Sequence, residues 1–276
     1  MKAAPFAYAR PSTLDEAVAE LASADGGGKV ISGGQSLVPV LAMRLARPEV
    51  LVDINGIAEL GRIERSDGAV EIGATVRQRA VERDRLSAEV PLLGMALPWV
   101  GHRELRSRGT VCGSLAHADP AAELPAVACC LDATVTLSGR TGPRQVAARE
   151  FYAGAMMTGL GPDEVLTSVR LPLARRADGY GFAEIARRHG DFALAGVAVH
   201  VRDNRVTVTG FGISDRPVTR TVTGEVTGDL LDAMVDTDGD GHASRDYRRR
   251  LFRVLAEREI GKARARAGRK ERDDDQ

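Results

Sequence analysis

The sequence predicts an α+β fold in two parts, one over residues 1–175 and one over 176–261. Through Pro172, strand-like and helix-like runs alternate without strict β-α-β regularity. After Pro172 the texture changes. GYGFAEIARR and FALAGVAVHVRDNRVTVTGFGIS read as apolar-rich strands about the turn Asp203-Asn204, and two helices follow. LARRADG, beginning at Leu173, has the composition of a linker and sets the boundary near 173–178.

Taken in order, Thr13 and Glu16 form a capping-box pattern ahead of AVAELASA, and Asp25-Gly26-Gly27-Gly28 ends that helix. Lys29 to Ser32 reads as a short buried strand, Gly33-Gly34-Gln35 as a turn and Ser36 as the N-cap of a second helix. Pro39 then falls in the first turn, where a missing N–H costs nothing. Val50 to Ile54 is a further strand, and residues 61–76 form a hairpin turning at Asp67-Gly68. Thr75 is expected to cap VRQRAVERD. Helices are expected around Leu92–Val100 and Glu123–Leu131, with a strand at ATVTL (133–137). The almost wholly charged stretch 262–276 is expected to be disordered, and no internal repeat is visible.

Composition excludes several partners. Lys plus Arg (38) balance Asp plus Glu (38), so no global field favours nucleic acid or a membrane surface. Aromatic residues make up 4%, too few for interleaved basic and stacking positions, and RRR at 248–250 reads as a solvated helix face. The N-terminus lacks the regions of a signal peptide and no run is long enough to span a bilayer, so a cytoplasmic protein is expected. Cys112, Cys129 and Cys130 match no zinc or iron–sulfur spacing and read as reduced structural thiols. Any metal chemistry then lies on a partner.

Two junctions carry the chemistry. In KVISGGQSLVPVLAMRLA (29–46) and GTVCGSLAHADPAAELPAV (109–127), small residues run straight into a helix. Such a junction lets backbone amides approach an anion closely. Singly, each is also compatible with a plain turn; together they point to a ligand carrying two phosphates. Neither string is GxxxxGK[ST] or GxGxxG, which disfavours a P-loop or a Rossmann dinucleotide site. No GxSxG elbow supports a hydrolase. Asp236-Thr-Asp238-Gly-Asp240-Gly241 imitates the start of a calcium loop, but Tyr247 stands where a bidentate Glu belongs, so an acidic loop and helix cap is the reading. His102 reads as a satisfied polar histidine.

SGGQSLVPVLAMRLARPEVLVDI (32–54) with RSRGTVCGSLAHADPAAELPAV (106–127) closely resembles the paired signatures of the FAD-binding medium subunit of molybdenum hydroxylases. That family includes the carbon monoxide dehydrogenase medium subunit and the flavin domain of xanthine dehydrogenase. PDEVLTSVRLP, ARRHGDFALAGVAV and HASRDYRRRL extend the resemblance in the expected order over nearly the whole chain.

The resemblance implies a two-part N-terminal FAD-binding domain of the PCMH type, followed by a C-terminal antiparallel sheet with helices. It assigns the first loop to Val30, Ile31, Ser32, Gly33, Gly34, Gln35, Ser36 and Leu37. The second falls on Thr110, Cys112, Gly113 and Ser114, with His117 close by. Glu123 matches a carboxylate suited to ribityl hydroxyls, Leu166 an apolar contact near the flavin, and Phe192 an aromatic beside the ring. The implied role is electron transfer from a small iron–sulfur subunit to an external acceptor, with molybdenum on a large molybdopterin-binding subunit. A free-standing FAD oxidase or reductase and a non-enzymatic binding module stay open as alternatives.

Two departures stand out. Cys112 replaces a glycine common in relatives, and Glu184 in GFAEIARR stands where relatives often carry a lysine. A thiol at the cofactor, or even a covalent flavin link, is the functional reading of Cys112; a side chain turned into the core is the structural one. If Glu184 faces the flavin ring, it disfavours an anionic reduced flavin.

Overall fold

The computed structural model describes residues 2–272. Its first layer contains β1 (Ala7–Ala9), α1 (Leu14–Ser23), β2 (Gly28–Ile31), α2 (Leu37–Ala42) and β3 (Val50–Asp53), with the strands parallel in the order β1-β3-β2. The capping box at Thr13 and Glu16 forms in full.

The second layer begins with the hairpin β4 (Ile63–Ser66) and β5 (Ala69–Gly73). Asp67 and Gly68 both take positive φ, 48° and 72°, which matches the right-handed strand twist. Six short helices follow: α3 (Gln78–Arg83), α4 (Leu86–Glu89), α5 (Pro91–Ala96), α6 (Arg103–Arg106), α7 (Val111–His117) and α8 (Glu123–Cys130). Then come β6 (Thr134–Gly139), β7 (Gly142–Ala147), α9 (Ala148–Phe151), β8 (Tyr152–Gly154), β9 (Met157–Thr158) and β10 (Val165–Pro172). The larger sheet runs β4-β5-β10-β6-β7, antiparallel throughout.

The last layer is the antiparallel sheet β11 (Gly179–Ala186), β12 (Ala193–Arg202), β13 (Arg205–Phe211) and β14 (Val218–Thr223), backed by α10 (Gly228–Asp232) and α11 (Arg245–Arg272). Its two faces serve two cores. Tyr180, Phe182, Ala198 and Phe211 join the large core built by the preceding layers, while Ala183, Val197, Val199 and Val208 pack with Phe252, Leu255 and Ala256 of α11. α11 approaches β11 where side chains are absent. A Cβ on Gly181 would lie 2.6 Å from the Glu259 carbonyl oxygen, and one on Gly179 would meet that of Ala263.

Three sequence expectations change. Thr75 does not cap α3; Arg77 takes the N-cap position, because residues 76–78 are extended against 109–111 through Val111 N–H to Val76 O (3.3 Å) and Gln78 N–H to Gly109 O (2.9 Å). The stretch from 262 is helical as far as Arg272 rather than disordered. Ala263 is fully buried, and the Arg264 and Arg266 guanidinium groups donate to the carbonyls of Gly224 and Tyr180. Residues 273–276 lie outside the described residues. Finally, β14 is a strand that apolar patterning misses, since its residues are largely polar.

The linker-like segment is pinned. Leu173 and Ala174 N–H donate to Gly68 O and Glu89 O, both at 2.9 Å. Asp178, 1% exposed, accepts from Arg202 (2.7 and 2.8 Å), the Tyr180 hydroxyl (2.9 Å) and the Arg175 N–H (2.8 Å). Burial alone would raise its carboxyl; these donors, with His200 beside them, hold it far below the ordinary range.

Candidate FAD-binding site

The two glycine loops meet. A Cβ on Gly33 would stand 2.5 Å from Arg108 O, 2.8 Å from Gly109 Cα and 3.1 Å from Thr110 N, so only glycine permits this backbone contact. Gly34 takes φ +74°, which turns the chain from β2 into α2. Among the described residues, the N–H groups of Gly33, Gly34, Gln35, Ser36 and Leu37 find no acceptor. Ser36 stands before α2 with helical dihedrals, and its hydroxyl makes no side-chain cap. Thr110 caps α7 by accepting from Gly113 N–H at 3.0 Å. A Cβ at Gly113 would sit 2.5 Å from that same hydroxyl oxygen, so this glycine also serves its own cap.

Behind the loops lies a polar brace that no local signal in the sequence announces. Arg77 donates to Asn55 Oδ1 (2.6 Å) and to Arg108 O (2.7 Å), and Asn55 Nδ2 donates to Ser32 O (2.9 Å). Both loop backbones thus hang on one guanidinium. Burial, and then the neighbouring Arg108, lower the Arg77 pKa. Asn55 is oriented by Asp53 Oδ1, whose other oxygen accepts from the Tyr8 hydroxyl. Burial would raise the Asp53 carboxyl, but the Tyr8 and Asn55 donors outweigh it and hold it below its ordinary value. Gln78 Nε2 donates to Thr110 O at 3.2 Å and fixes the second loop from below.

The remaining sequence-assigned positions spread outward. Val30 and Ile31 form the half-buried end of β2, and Ser114 is half-buried in α7. His117 closes α7, its pKa lowered first by burial, with Asp119 opposing and Lys29 adding. Leu166 is buried in β10. Phe192 is 68% exposed just before β12, and no hydrogen bond joins it to the loops among the described residues. In the preceding turn, His189 stacks on both Trp99 and His102, with centroids 6.0 and 6.1 Å apart. His102, expected to be a satisfied polar histidine, is exposed and stacks on His189.

Cys112 points into the core, with its thiol against Ile72 O at 3.4 Å, and burial raises its pKa steeply. A buried thiol of that kind is a poor nucleophile. All three cysteines are free and buried. The acidic loop is tied down by Asp240, whose Oδ1 accepts from His242 and Ala243 N–H (2.8 and 3.0 Å) and whose Oδ2 accepts from Arg248 (2.6 Å), while the cap of α11 falls to Ser244, whose hydroxyl accepts from Tyr247 N–H (3.3 Å). Among the described residues, no cluster of three or more His, Cys, Asp or Glu could hold a metal, and no helix is long and apolar enough to cross a membrane.

Residues 4–174 match the family described as the FAD binding domain in molybdopterin dehydrogenase. The chain belongs to this family. As a flavoprotein oxidoreductase subunit it is 34% identical to the 6-hydroxypseudooxynicotine dehydrogenase complex subunit alpha of Paenarthrobacter nicotinovorans, covering 97% of each chain. It is 32% identical to the carbon monoxide dehydrogenase medium chain of Afipia carboxidovorans, over 95% of this chain and 98% of that one. Among solved structures, it is similar to a carbon monoxide dehydrogenase from Hydrogenophaga pseudoflava, with TM-score 0.92, 29% identity and coverage of 96% and 99%. Quinoline 2-oxidoreductase from Pseudomonas putida 86 gives TM-score 0.87 and 34% identity, covering 97% and 99%. The expected fold class and the FAD cofactor thus hold for this medium subunit. The open donor set at residues 33–37 suits the oxygens of a diphosphate.

Proposed function

We propose that this medium subunit carries electrons from a small iron–sulfur subunit to an external acceptor, within a cytoplasmic complex whose large subunit holds the molybdenum cofactor. The chain would divide near residue 175 into the FAD-binding domain and a C-terminal unit reaching 261. The observation that carries this reading is the backbone contact between the Gly33 and Gly109 loops, beside which the N–H groups of 33–37 find no acceptor among the described residues.

Bound FAD supplies the redox chemistry, accepting and releasing electrons, so the protein need only bind, orient and insulate it. Ser32 to Leu37 would direct amides and the Ser36 hydroxyl at one side of the pyrophosphate, with Thr110, Gly113 and Ser114 on the other. Arg77 keeps both loops in register. Glu123 would receive ribityl hydroxyls, His117 and Leu166 would flank the cofactor, and Phe192, on its exposed turn, would cover the ring. Cys112 contributes packing.

Purifying the full chain alone and with its partners tests this reading. Flavin near one per chain, together with iron and molybdenum only when the complex is intact, is the expected result. Substrate turnover by the isolated yellow chain, without metals, would favour the free-standing oxidase instead.

A further inference from the structure

An aromatic contact joins the turn that carries Phe192 to the N-terminal layers. The His189 ring stacks on both Trp99 and His102, with interplanar angles of 24° and 22°. The backbone of the turn lies just as close. Gly190 takes φ +87°, and a Cβ there would stand 2.7 Å from His102 Cε1 and 3.0 Å from both ring nitrogens. Only a residue without a side chain lets the turn lie against this imidazole. Among the described residues, no hydrogen bond or ion pair crosses from 187–192 to the N-terminal layers. Arg187 instead pairs with Asp191 in the turn itself (3.7 Å) and approaches His242 (3.4 Å).

The two sides of the contact are built differently. Trp99 ends a short 3₁₀ turn (Leu97–Trp99) whose Leu97 is buried, and His102 stands at the N-cap of α6. One side chain holds the carbonyls between them. Buried Arg106 donates to Val100 O (3.2 Å) and Gly101 O (3.0 Å), and its guanidinium also pairs with Glu82 at 3.1 and 3.2 Å. Trp99 and His102 therefore form a fixed platform. The turn has no such anchor. The β11–β12 register slips between Ile185 and Ala186, where the turn begins, and the Arg187–Asp191 pair is solvent-exposed, which makes it a weak tie. Rings stacked at such separations attract one another, so the stack is what sets the position of the turn.

We propose that His189 is a positioning residue for the cofactor: its stack on Trp99 and His102 holds turn 187–192 down on the platform, and with it Phe192, three residues on, over the flavin ring. The hold on the turn stands by itself; its consequence for the cofactor rests on the FAD reading above. Phe192 is largely exposed, so its place is set by the turn rather than by packing of its own. A turn held down for only part of the time lowers the apparent affinity of what it covers by that fraction. Loss of the stack is thus felt at the flavin although no atom touching the flavin is removed.

Trp99 is the only tryptophan in the chain, so its emission reports on this contact alone. The full chain is freed of FAD, acrylamide quenching of Trp99 is measured, and FAD is then titrated back with flavin fluorescence as the readout. His189→Ala and Gly190→Ala should both raise the quenching constant and shift the emission to the red. Gly190→Ala removes no ring, so its effect reads movement of the turn rather than lost shielding. Both should weaken FAD binding about fivefold, the scale of one lost ring contact. His189→Phe keeps a flat ring and should match the wild type in both measurements. Phe192→Ala should weaken FAD binding to the same degree while leaving Trp99 quenching unchanged. Combined with His189→Ala it should add little, because both act through one ring. Unchanged quenching in Gly190→Ala and His189→Ala overturns the stack as the hold on the turn. Raised quenching with wild-type FAD affinity, or losses that add in full with Phe192→Ala, overturns the positioning role. A wild-type chain that binds no FAD sinks the FAD reading, and the quenching data still decide the hold on the turn.

Discussion

Gly33 and Gly109 touch backbone to backbone: a methyl group built on Gly33 would lie 2.8 Å from the Gly109 Cα and closer still to Arg108 O. Neither neighbour is a flexible side chain, so the loops themselves would have to part. Gly33→Ala should therefore cost about 1–3 kcal/mol of stability and weaken FAD binding at least about tenfold. Gly34→Ala is the informative comparison. Its nearest obstacle is the Val38 side chain at 3.3 Å, and the penalty comes from φ +74°. FAD dissociation constants and urea melts measure both, and unchanged affinity in Gly33→Ala would break the link between loop contact and cofactor.

Arg77 holds both loops with separate nitrogens, one on Asn55 and one on Arg108 O. A lysine has the charge but not the fork, so Arg77→Lys can satisfy only one partner at a time. The expected loss is about 1–2 kcal/mol in stability, together with several-fold weaker FAD retention. Asn55→Ala should mimic it, and the double variant should lose much less than the sum, because the two residues act through one hydrogen bond. Fully additive losses would mean that the brace is not a unit.

Local chemistry made much of this legible. The Thr13–Glu16 box and the Asp67-Gly68 and Asp203-Asn204 turns depend on residues a few positions apart, and each forms where the sequence places it. The two glycine loops were visible for the same reason, since the need for small residues is local. Arg77, Asn55 and Gln78 were not, because their roles exist only once strands far apart in sequence have brought residues 55, 77 and 108 together. The 262–272 helix failed in the opposite direction: its charge suggested disorder, yet Ala263 finds a bare glycine strand to pack on. Glu184 was legible as an oddity, but not its burial opposite Gly196 of β12.

Asp178 should set the acid limit of the fold. Its carboxyl titrates far below its unfolded value because Arg202, Tyr180, His200 and the Arg175 N–H stabilise the anion. Stability from this group is present above about pH 4 and drains away as acid protonates it. Asp178→Asn leaves Arg202 beside a neutral group and should cost about 3 kcal/mol at pH 7. The gap between wild type and variant should stay constant from pH 8 to 5 and narrow below about pH 4. Urea melts across this range test it; a gap that widens in acid would reverse the assignment.

Truncation after Lys262 separates a disordered tail from a packed helix. It deletes Ala263, which sits on Gly179, and the arginines that donate to Gly224 O and Tyr180 O. The Ala263 and Arg266 contacts clamp β11, the first strand of the C-terminal sheet, and the Arg264 bond holds the turn after its last strand, β14. The loss should reach about 2 kcal/mol, lowering the melting midpoint by several degrees. Gly179→Ala should act at the same place in the intact chain, since its Cβ would drive into the Ala263 carbonyl. If truncation leaves the melt unchanged while Gly179→Ala lowers it, the helix beyond Lys262 contributes nothing to stability and the clamp lies earlier in α11.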